Sequence, residues 1–197
     1  MRQVRAVGIL GGSFNPVHNG HVALAREILV RARLDEVWFM VSPQNPLKPG
    51  GVLADDVLRL EMTRLALEDE PRLVASDYEF RLPRPSYTWN TLRHLAADYP
   101  HHRFALIMGA DNWQVFGEWR NGGDIIAAHR ILIYPRRGCG IDPRSLPPGV
   151  HLIDTPLYDI SSTMVRRALA EGRDVTQWLP PKVASFIARK GLYGALS

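Results

Sequence analysis

Cysteine is almost absent from this chain: its 197 residues include one, Cys139, set between two glycines. A lone cysteine closes no internal disulfide and builds no thiolate metal cluster, which excludes disulfide-framework and cysteine-zinc classes and fits a reducing compartment. Lysine is scarce as well, confined to Lys48, Lys182 and Lys190, so arginine supplies most of the positive charge. The net charge is +4, yet basic residues are scattered among acidic ones and reach no further than pairs such as Arg136-Arg137 and Arg166-Arg167. No basic run has the length of a nucleic-acid arm, which argues against a nucleic-acid partner and for a small anionic ligand. Long hydrophobic runs are also missing. The opening Met1 to Leu10 carries Arg2 and Arg5 and holds too few apolar residues for a signal-peptide core or a membrane span. The expectation is a cytoplasmic protein without a membrane partner. There is no internal repeat, low-complexity tract or domain-sized linker, and 46% hydrophobic with 22% charged residues supports a sizeable core in one domain over residues 1–197.

What is present alternates. Val4 to Leu10 is a nearly continuous apolar run ended by Gly11-Gly12, the pattern of a strand buried on both faces of a parallel sheet. From His21 to Arg33 the apolar residues Val22, Ala25, Ile28 or Leu29 and Ala32 recur at helical spacing. Glu36 to Val41 reads as the next strand, and Pro43 to Gly51 as a loop rich in proline, glycine and asparagine. Asp55 to Leu67 reads as a helix, Leu73 to Ala75 as a strand, Thr88 to Tyr99 as a helix, and Arg103 to Met108 and Arg130 to Tyr134 as buried strands. After a proline-containing loop from Gly138 to Gly149, His151 to Ile153 is a short strand, and Ser162 to Glu171 and Pro181 to Lys190 are helices. Strands alternating with helices predict an α/β fold, a doubly wound parallel sheet with C-terminal helices. Ligands of such sheets sit beyond the carboxyl ends of the strands where strand order reverses, which gathers Gly11 to His21, Gly109 to Asn112 and the loop after Tyr134.

The most informative segment is Gly11-Gly12-Ser13-Phe14-Asn15-Pro16-Val17-His18-Asn19-Gly20-His21. Two glycines after a buried strand let the backbone approach a ligand, and the helix start that follows offers unpaired N–H groups and a positive dipole end to phosphate. His18 and His21 are about one helical turn apart, so both imidazoles can face one side, with Gly20 leaving room for a bulky ligand. The bland reading is a turn followed by polar residues at a helix end. The spacing is not the dinucleotide fingerprint, because Gly20 comes too late. A second segment, Ile160-Ser161-Ser162-Thr163-Met164-Val165-Arg166, places hydroxyl residues at a helix start and Arg166 one turn on from Ser162. Alone, it is equally an ordinary helix cap.

Together these two segments resemble the nucleotidyltransferases with His-x-Gly-His and Ile-Ser-Ser-Thr-x-x-Arg signatures. Pro85-Ser86-Tyr87-Thr88, Gly109-Ala110-Asp111-Asn112 and Trp119 fall in the order and spacing of the nicotinate-nucleotide adenylyltransferase family, and the resemblance covers nearly the whole chain. It implies a Rossmann-like nucleotidyltransferase fold and adenylyl transfer from ATP to nicotinate mononucleotide, giving deamido-NAD and pyrophosphate in NAD biosynthesis. It further implies that His18, His21 and Arg166 act at the triphosphate. Gly11, Gly12, Ser13, Phe14, Gly20, Lys48, Gly109, Asp111, Arg136, Ser161, Ser162 and Thr163 would line the ATP site, with Asp111 on a ribose hydroxyl and Lys48 reaching phosphate. Tyr87 and Thr88, through their backbone, would hold the nicotinate carboxylate; Trp119 would stack on the pyridine ring; and Asn45 belongs to the same acceptor site. Where the family shows Arg-Pro-Gly this chain has Arg136-Arg137-Gly138, and register favours Arg136.

The chemistry asks little of the protein. The second pKa of a phosphate monoester is about 6, so the acceptor phosphate is already a nucleophile at neutral pH and needs no general base. The transfer is in-line without a covalent intermediate, and His18 and His21 are expected to donate hydrogen bonds or positive charge to the triphosphate. No set of protein metal ligands stands out; Mg²⁺ is expected to enter with ATP, held by phosphates and water. Competing readings are an adenylyltransferase acting on nicotinamide mononucleotide or 4′-phosphopantetheine, and, from another class, a nucleotide sensor or RNA-binding module without turnover. The sequence allows a homo-oligomer but sets no number.

Overall fold

A computed structural model describes residues 4–43 and 53–194. Six parallel strands form one sheet: β1 (Arg5–Gly12), β2 (Glu36–Val41), β3 (Leu73–Ser76), β4 (His102–Gly109), β5 (Arg130–Tyr134) and β6 (Val150–Leu152), in the spatial order β3-β2-β1-β4-β5-β6. Strand order therefore reverses between β1 and β4, which are paired from Arg5↔His102 to Leu10↔Ile107. The helices are α1 (Asn19–Arg31), α2 (Asp56–Leu67), α3 (Thr88–Asp98), α4 (Ala110–Gln114), α5 (Gly122–Ala128), α6 (Ser162–Ala170) and α7 (Pro181–Lys190). The expected Rossmann-like architecture is what the chain adopts.

The strands explain why a continuous apolar run is needed rather than an alternating one. Side chains alternate faces along a strand, and here each face meets helices. Val7 and Ile9 of β1, Trp38 and Met40 of β2, Phe104, Leu106 and Met108 of β4, and Ile131 and Ile133 of β5 join one core with Leu92 and Leu95 of α3 and Ile125 of α5. Leu10, Val37, Phe39, Val41, Ala105, Ile107 and Leu132 join the other, under α1, α2, α6 and α7. Gly8 lies on this second face because a Cβ there would stand 2.6 Å from Ile107 Cδ1 and 2.7 Å from Leu34 Cδ1. At ~1.5–3 kcal/mol per fully buried aliphatic or aromatic side chain, these two layers dominate stability. Surface pairs such as Arg31–Glu27, one helical turn apart on α1, contribute ~0–1 kcal/mol.

Helix ends follow local chemistry. Asp55 caps α2 by accepting from the Val57 N–H at 2.8 Å, and α7 begins at Pro181 and ends against Gly191 at φ 59°, in the left-handed region. α1 starts two residues earlier than the apolar period suggests, at Asn19, with His18 as its N-cap. Two short helices, α4 and α5, and a 3₁₀ turn at Tyr78–Arg81 have no counterpart in the sequence pattern. α5 opens on two glycines, which disfavour a helix, and is held by burial of Ile125 in the first core.

Candidate active site

The loop leaving β1 is fixed by its own buried side chains and by partners far along the chain. Phe14 adopts φ 45°, left-handed for a non-glycine residue, and its ring packs on Phe39 at 5.2 Å and edge-on to His21 at 5.1 Å. Asn15 is buried, and its Oδ1 accepts from the Ala54 N–H at 3.1 Å and from the Tyr193 hydroxyl at 2.6 Å. The Asn15 carbonyl accepts from Arg166 Nη1 at 2.8 Å, and the Pro16 carbonyl accepts from Ser162 Oγ at 2.8 Å. These bonds seat the start of α6 against the start of α1. The two sequence signatures, far apart in the chain, thus become adjacent, and two helix N-termini converge on one spot.

His18 and His21 interlock there. The His18 backbone N–H donates to His21 Nδ1 at 3.2 Å, so neutral His21 carries its proton on Nε2. The two rings stack with centroids 3.6 Å apart and planes 25° apart. His18 is 4% exposed and its Nδ1 is buried without a hydrogen-bond partner. Burial, and secondarily the Arg136 guanidinium, lowers the His18 pKa from 6.5 to about 4. Burial, then His18, then Arg136 pushes His21 well below 6.5. Both imidazoles are therefore uncharged at neutral pH in the free protein. Of the two expected modes of action, hydrogen-bond donation is available in this state and a standing positive charge is not. A Cβ on Gly20 would lie 3.2 Å from His18 Nδ1 and 3.3 Å from Tyr158 Cβ, so this glycine admits the stacked pair.

On the α6 side, Ser161 caps the helix by accepting from the Met164 N–H at 3.2 Å, and Arg166 Nη2 donates to Thr163 Oγ1 at 3.3 Å. Across the switch point, Asp111 at the start of α4 lies with its Oδ1 3.7 Å from Arg136 Nε, and Arg136 packs over the Tyr134 ring at 5.2 Å. A Cβ on Gly109 would stand 2.2 Å from Asp111 Oδ1 and 3.1 Å from Arg136 Nε, so glycine leaves both side chains in the positions they hold where β4 ends. Arg137 instead turns away to Asp159, at 2.5 Å on the exposed surface. The structure thus brings Arg136, not Arg137, within electrostatic reach of both histidines.

The segment around Tyr87, Thr88 and Trp119 packs on the other face of the sheet, with α3 and α5. Tyr87 is the N-cap of α3, and the Arg120 guanidinium sits over its ring at 4.9 Å. Trp119 is half-buried, packs on Phe116 at 5.3 Å, and leaves its Nε1 buried without a partner. Gly11, Gly12 and Ser13 form the end of β1 and its exit, with Gly11 facing open space. Asn45 and Lys48 lie outside the described residues. Among the described residues no cluster of three or more His, Cys, Asp or Glu side chains could hold a metal ion, and no helix is long and apolar enough to cross a membrane.

Sequence reasoning missed Arg59. It is fully buried in α2, and Nη1 donates to the Ser13 carbonyl at 2.6 Å and the Ser42 carbonyl at 2.9 Å. Nε donates to Ala54 O at 2.9 Å, and Nη2 to Pro43 O at 3.3 Å and Asp56 Oδ1 at 2.5 Å. A guanidinium fork suits five such bonds in one place. The available signal was its position: Arg59, Thr63 and Leu67 share one buried stripe of α2, where a charge needs a reason. Glu79, buried in the turn before α3, was missed for the same cause.

The cytidylyltransferase-like family model matches residues 9–168. The chain is similar to a probable nicotinate-nucleotide adenylyltransferase of Bacteroides fragilis, 51% identical over 89% of this chain and 88% of the relative, and to one of Bacteroides thetaiotaomicron, 52% identical over 91% and 89%. Its fold is similar to the nicotinic acid mononucleotide adenylyltransferase of Plasmodium falciparum complexed with NaAD, with TM-score 0.81, 20% identity and coverage of 96% and 98%.

Proposed function

The chain belongs to the cytidylyltransferase-like family, and on that premise we propose that it transfers the adenylyl group of ATP to nicotinate mononucleotide, releasing pyrophosphate and forming deamido-NAD. The observation that carries this reading is the convergence of the α1 and α6 N-termini, with His18, His21 and Arg166 at the meeting point and Arg136 beside them, at the switch between β1 and β4. That arrangement receives a triphosphate: two positive dipole ends, two arginines and two imidazole donors.

The acceptor phosphate oxygen attacks the α-phosphorus of ATP, the new P–O bond forms as the bond to the β-phosphate oxygen breaks, and the electron pair leaves with pyrophosphate. The phosphate is its own nucleophile, so the residues bind, align and stabilise charge rather than move protons. Alignment of the two nucleotides contributes on the order of 7–11 kcal/mol. A preorganised donor such as His21 Nε2–H contributes ~3–4 kcal/mol at the transition state. ATP enters as its magnesium complex, a substrate whose metal is held by phosphate and water oxygens. On the acceptor side, the positive end of α3 and the Arg120 guanidinium over Tyr87 favour a carboxylate over an amide, which supports nicotinate over nicotinamide. Trp119 stacks on the pyridine ring and Asp111 holds a ribose hydroxyl. The reaction belongs to the cytoplasm, in keeping with the single cysteine.

The test is pyrophosphate release from Mg-ATP with nicotinate mononucleotide, nicotinamide mononucleotide and 4′-phosphopantetheine in parallel. Preference for nicotinate mononucleotide is the expected result. Preference for either other acceptor overturns the acceptor assignment, and ATP binding without release from any of them makes the protein a nucleotide sensor.

A further inference from the structure

Between the two nucleotide walls lies a buried carboxylate that the transfer chemistry does not use. Glu79 Oε1 accepts from Thr91 Oγ1 at 2.7 Å, and Oε2 accepts from Ser42 Oγ at 3.0 Å and Ser86 Oγ at 3.2 Å. The three hydroxyls come from three segments: the residue after β2, the loop before α3, and the first turn of α3. Thr91 Oγ1 also faces the Tyr87 carbonyl at 3.4 Å. Ser42 is itself locked on the donor side, its N–H donating to the Gly12 carbonyl at 2.9 Å and its carbonyl accepting from Arg59 Nη1 at 2.9 Å. Joined through Ser42, hydrogen bonds therefore run from the Gly12 carbonyl to Glu79, and from Glu79 to the Ser86 hydroxyl and to Thr91, whose N–H and hydroxyl both face the Tyr87 carbonyl.

We propose that Glu79 is the positioning residue of the acceptor loop: through Ser86 and Thr91 it sets the Tyr87–Thr88 backbone in register with the donor loop, so that the acceptor phosphate is presented to the α-phosphorus. The proposal rests on the reading of Tyr87 and Thr88 as acceptor contacts. Glu79 does not touch substrate; it acts through the two hydroxyls. A carboxylate buried this deeply is costly unless fully bonded, and its burial raises its pKa while the bonds from Thr91, Ser42 and Ser86 lower it. Such a group is a poor choice for merely filling a turn, because an apolar side chain fills it without that cost. It is a good choice for register, since three directed bonds meet at one point.

The experiment compares wild type with Glu79→Gln, Thr91→Val and Thr91→Ser, measuring KM for the acceptor and for Mg-ATP separately. The acceptor titrated is whichever of nicotinate mononucleotide, nicotinamide mononucleotide and 4′-phosphopantetheine the wild type turns over best. A different preferred acceptor then overturns the functional reading while the positioning test still runs. Glu79→Gln is expected to raise the acceptor KM about ten-fold or more, the size of one lost hydrogen bond to a charged group, with the ATP KM within about two-fold. Thr91→Val moves it in the same direction, and Thr91→Ser, which keeps the hydroxyl, restores it. If the acceptor and ATP constants rise together, or if only thermal stability falls, Glu79 is a structural residue and the proposal is overturned. If Glu79→Gln does not fold, the Thr91→Val and Thr91→Ser pair decides by the same criterion.

Discussion

The two walls of the site are built differently. The wall we assign to the triphosphate is made of segments that are remote in sequence and locked to each other: Arg166 and Ser162 of α6 bond the carbonyls of Asn15 and Pro16, and Tyr193 bonds the Asn15 side chain. His18 is buried, His21 half-buried, and their rings are stacked. The acceptor wall is partly exposed, with Tyr87 and Trp119 resting on Arg120 and Phe116. Its buried anchors are Glu79, Thr91 and Phe116. The contrast follows from the demands on each wall. Charge developing at the α-phosphate requires donors that do not reorganise, whereas an acceptor must enter and a product must leave.

The largest effect should come from removing the part both walls share. Arg59→Met leaves the Ser13, Ser42, Pro43 and Ala54 carbonyls and Asp56 without their buried partner. Breaking a buried charged network costs ~3–5 kcal/mol, or a drop of about 10 °C in Tm for a chain of this size, checked by calorimetry. An unchanged Tm would mean that the walls do not depend on this hub.

Next in size are the histidines. His18→Ala or His21→Ala should lower kcat about 10²-fold or more with a much smaller change in KM, because the lost donor acts at the transition state. A change confined to KM would remove the distinction between the walls. On the acceptor side the pattern should reverse. Trp119→Ala should raise the acceptor KM about ten-fold, the scale of one lost base–aromatic stack, and leave the ATP KM nearly unchanged, as steady-state kinetics with each substrate varied will show.

The smallest effect is on stability against pH. The folded-state pKa of His18 is lowered to about 4 from 6.5, so the unfolded chain takes up its proton first as pH falls. The stability this group contributes is complete above pH 6.5 and is lost as pH drops towards 4. Wild type should therefore lose more Tm between pH 7 and 4.5 than His18→Asn does, since the other titrating groups, Glu79 among them, remain in both proteins. Equal losses would show that His18 is not held neutral by the wall.

Much of this molecule was legible in its residues. The bounds of β2, β5 and α7 coincide with the runs Glu36 to Val41, Arg130 to Tyr134 and Pro181 to Lys190, because a strand buried on both faces and an amphipathic helix with Pro and Gly at its ends write themselves into local composition. The spacing of His18 and His21, and of Ser162 and Arg166, was equally plain. Less legible were α4 and α5, too short for a period to register, and Asn15, whose identity carried no local signal although it joins three segments.

The sequence by itself determined the alternation of strand and helix, the glycine exit from β1 and the helix starts that favour phosphate, since periodicity, backbone freedom and the helix dipole belong to contiguous segments. Tertiary structure alone decided that the two signatures meet at Asn15 and Pro16, that both imidazoles stay neutral, and that Arg59 and Glu79 hold the loops in place. Each of these depends on desolvation or on a partner many residues away, and neither is a property of any stretch of chain until it is folded.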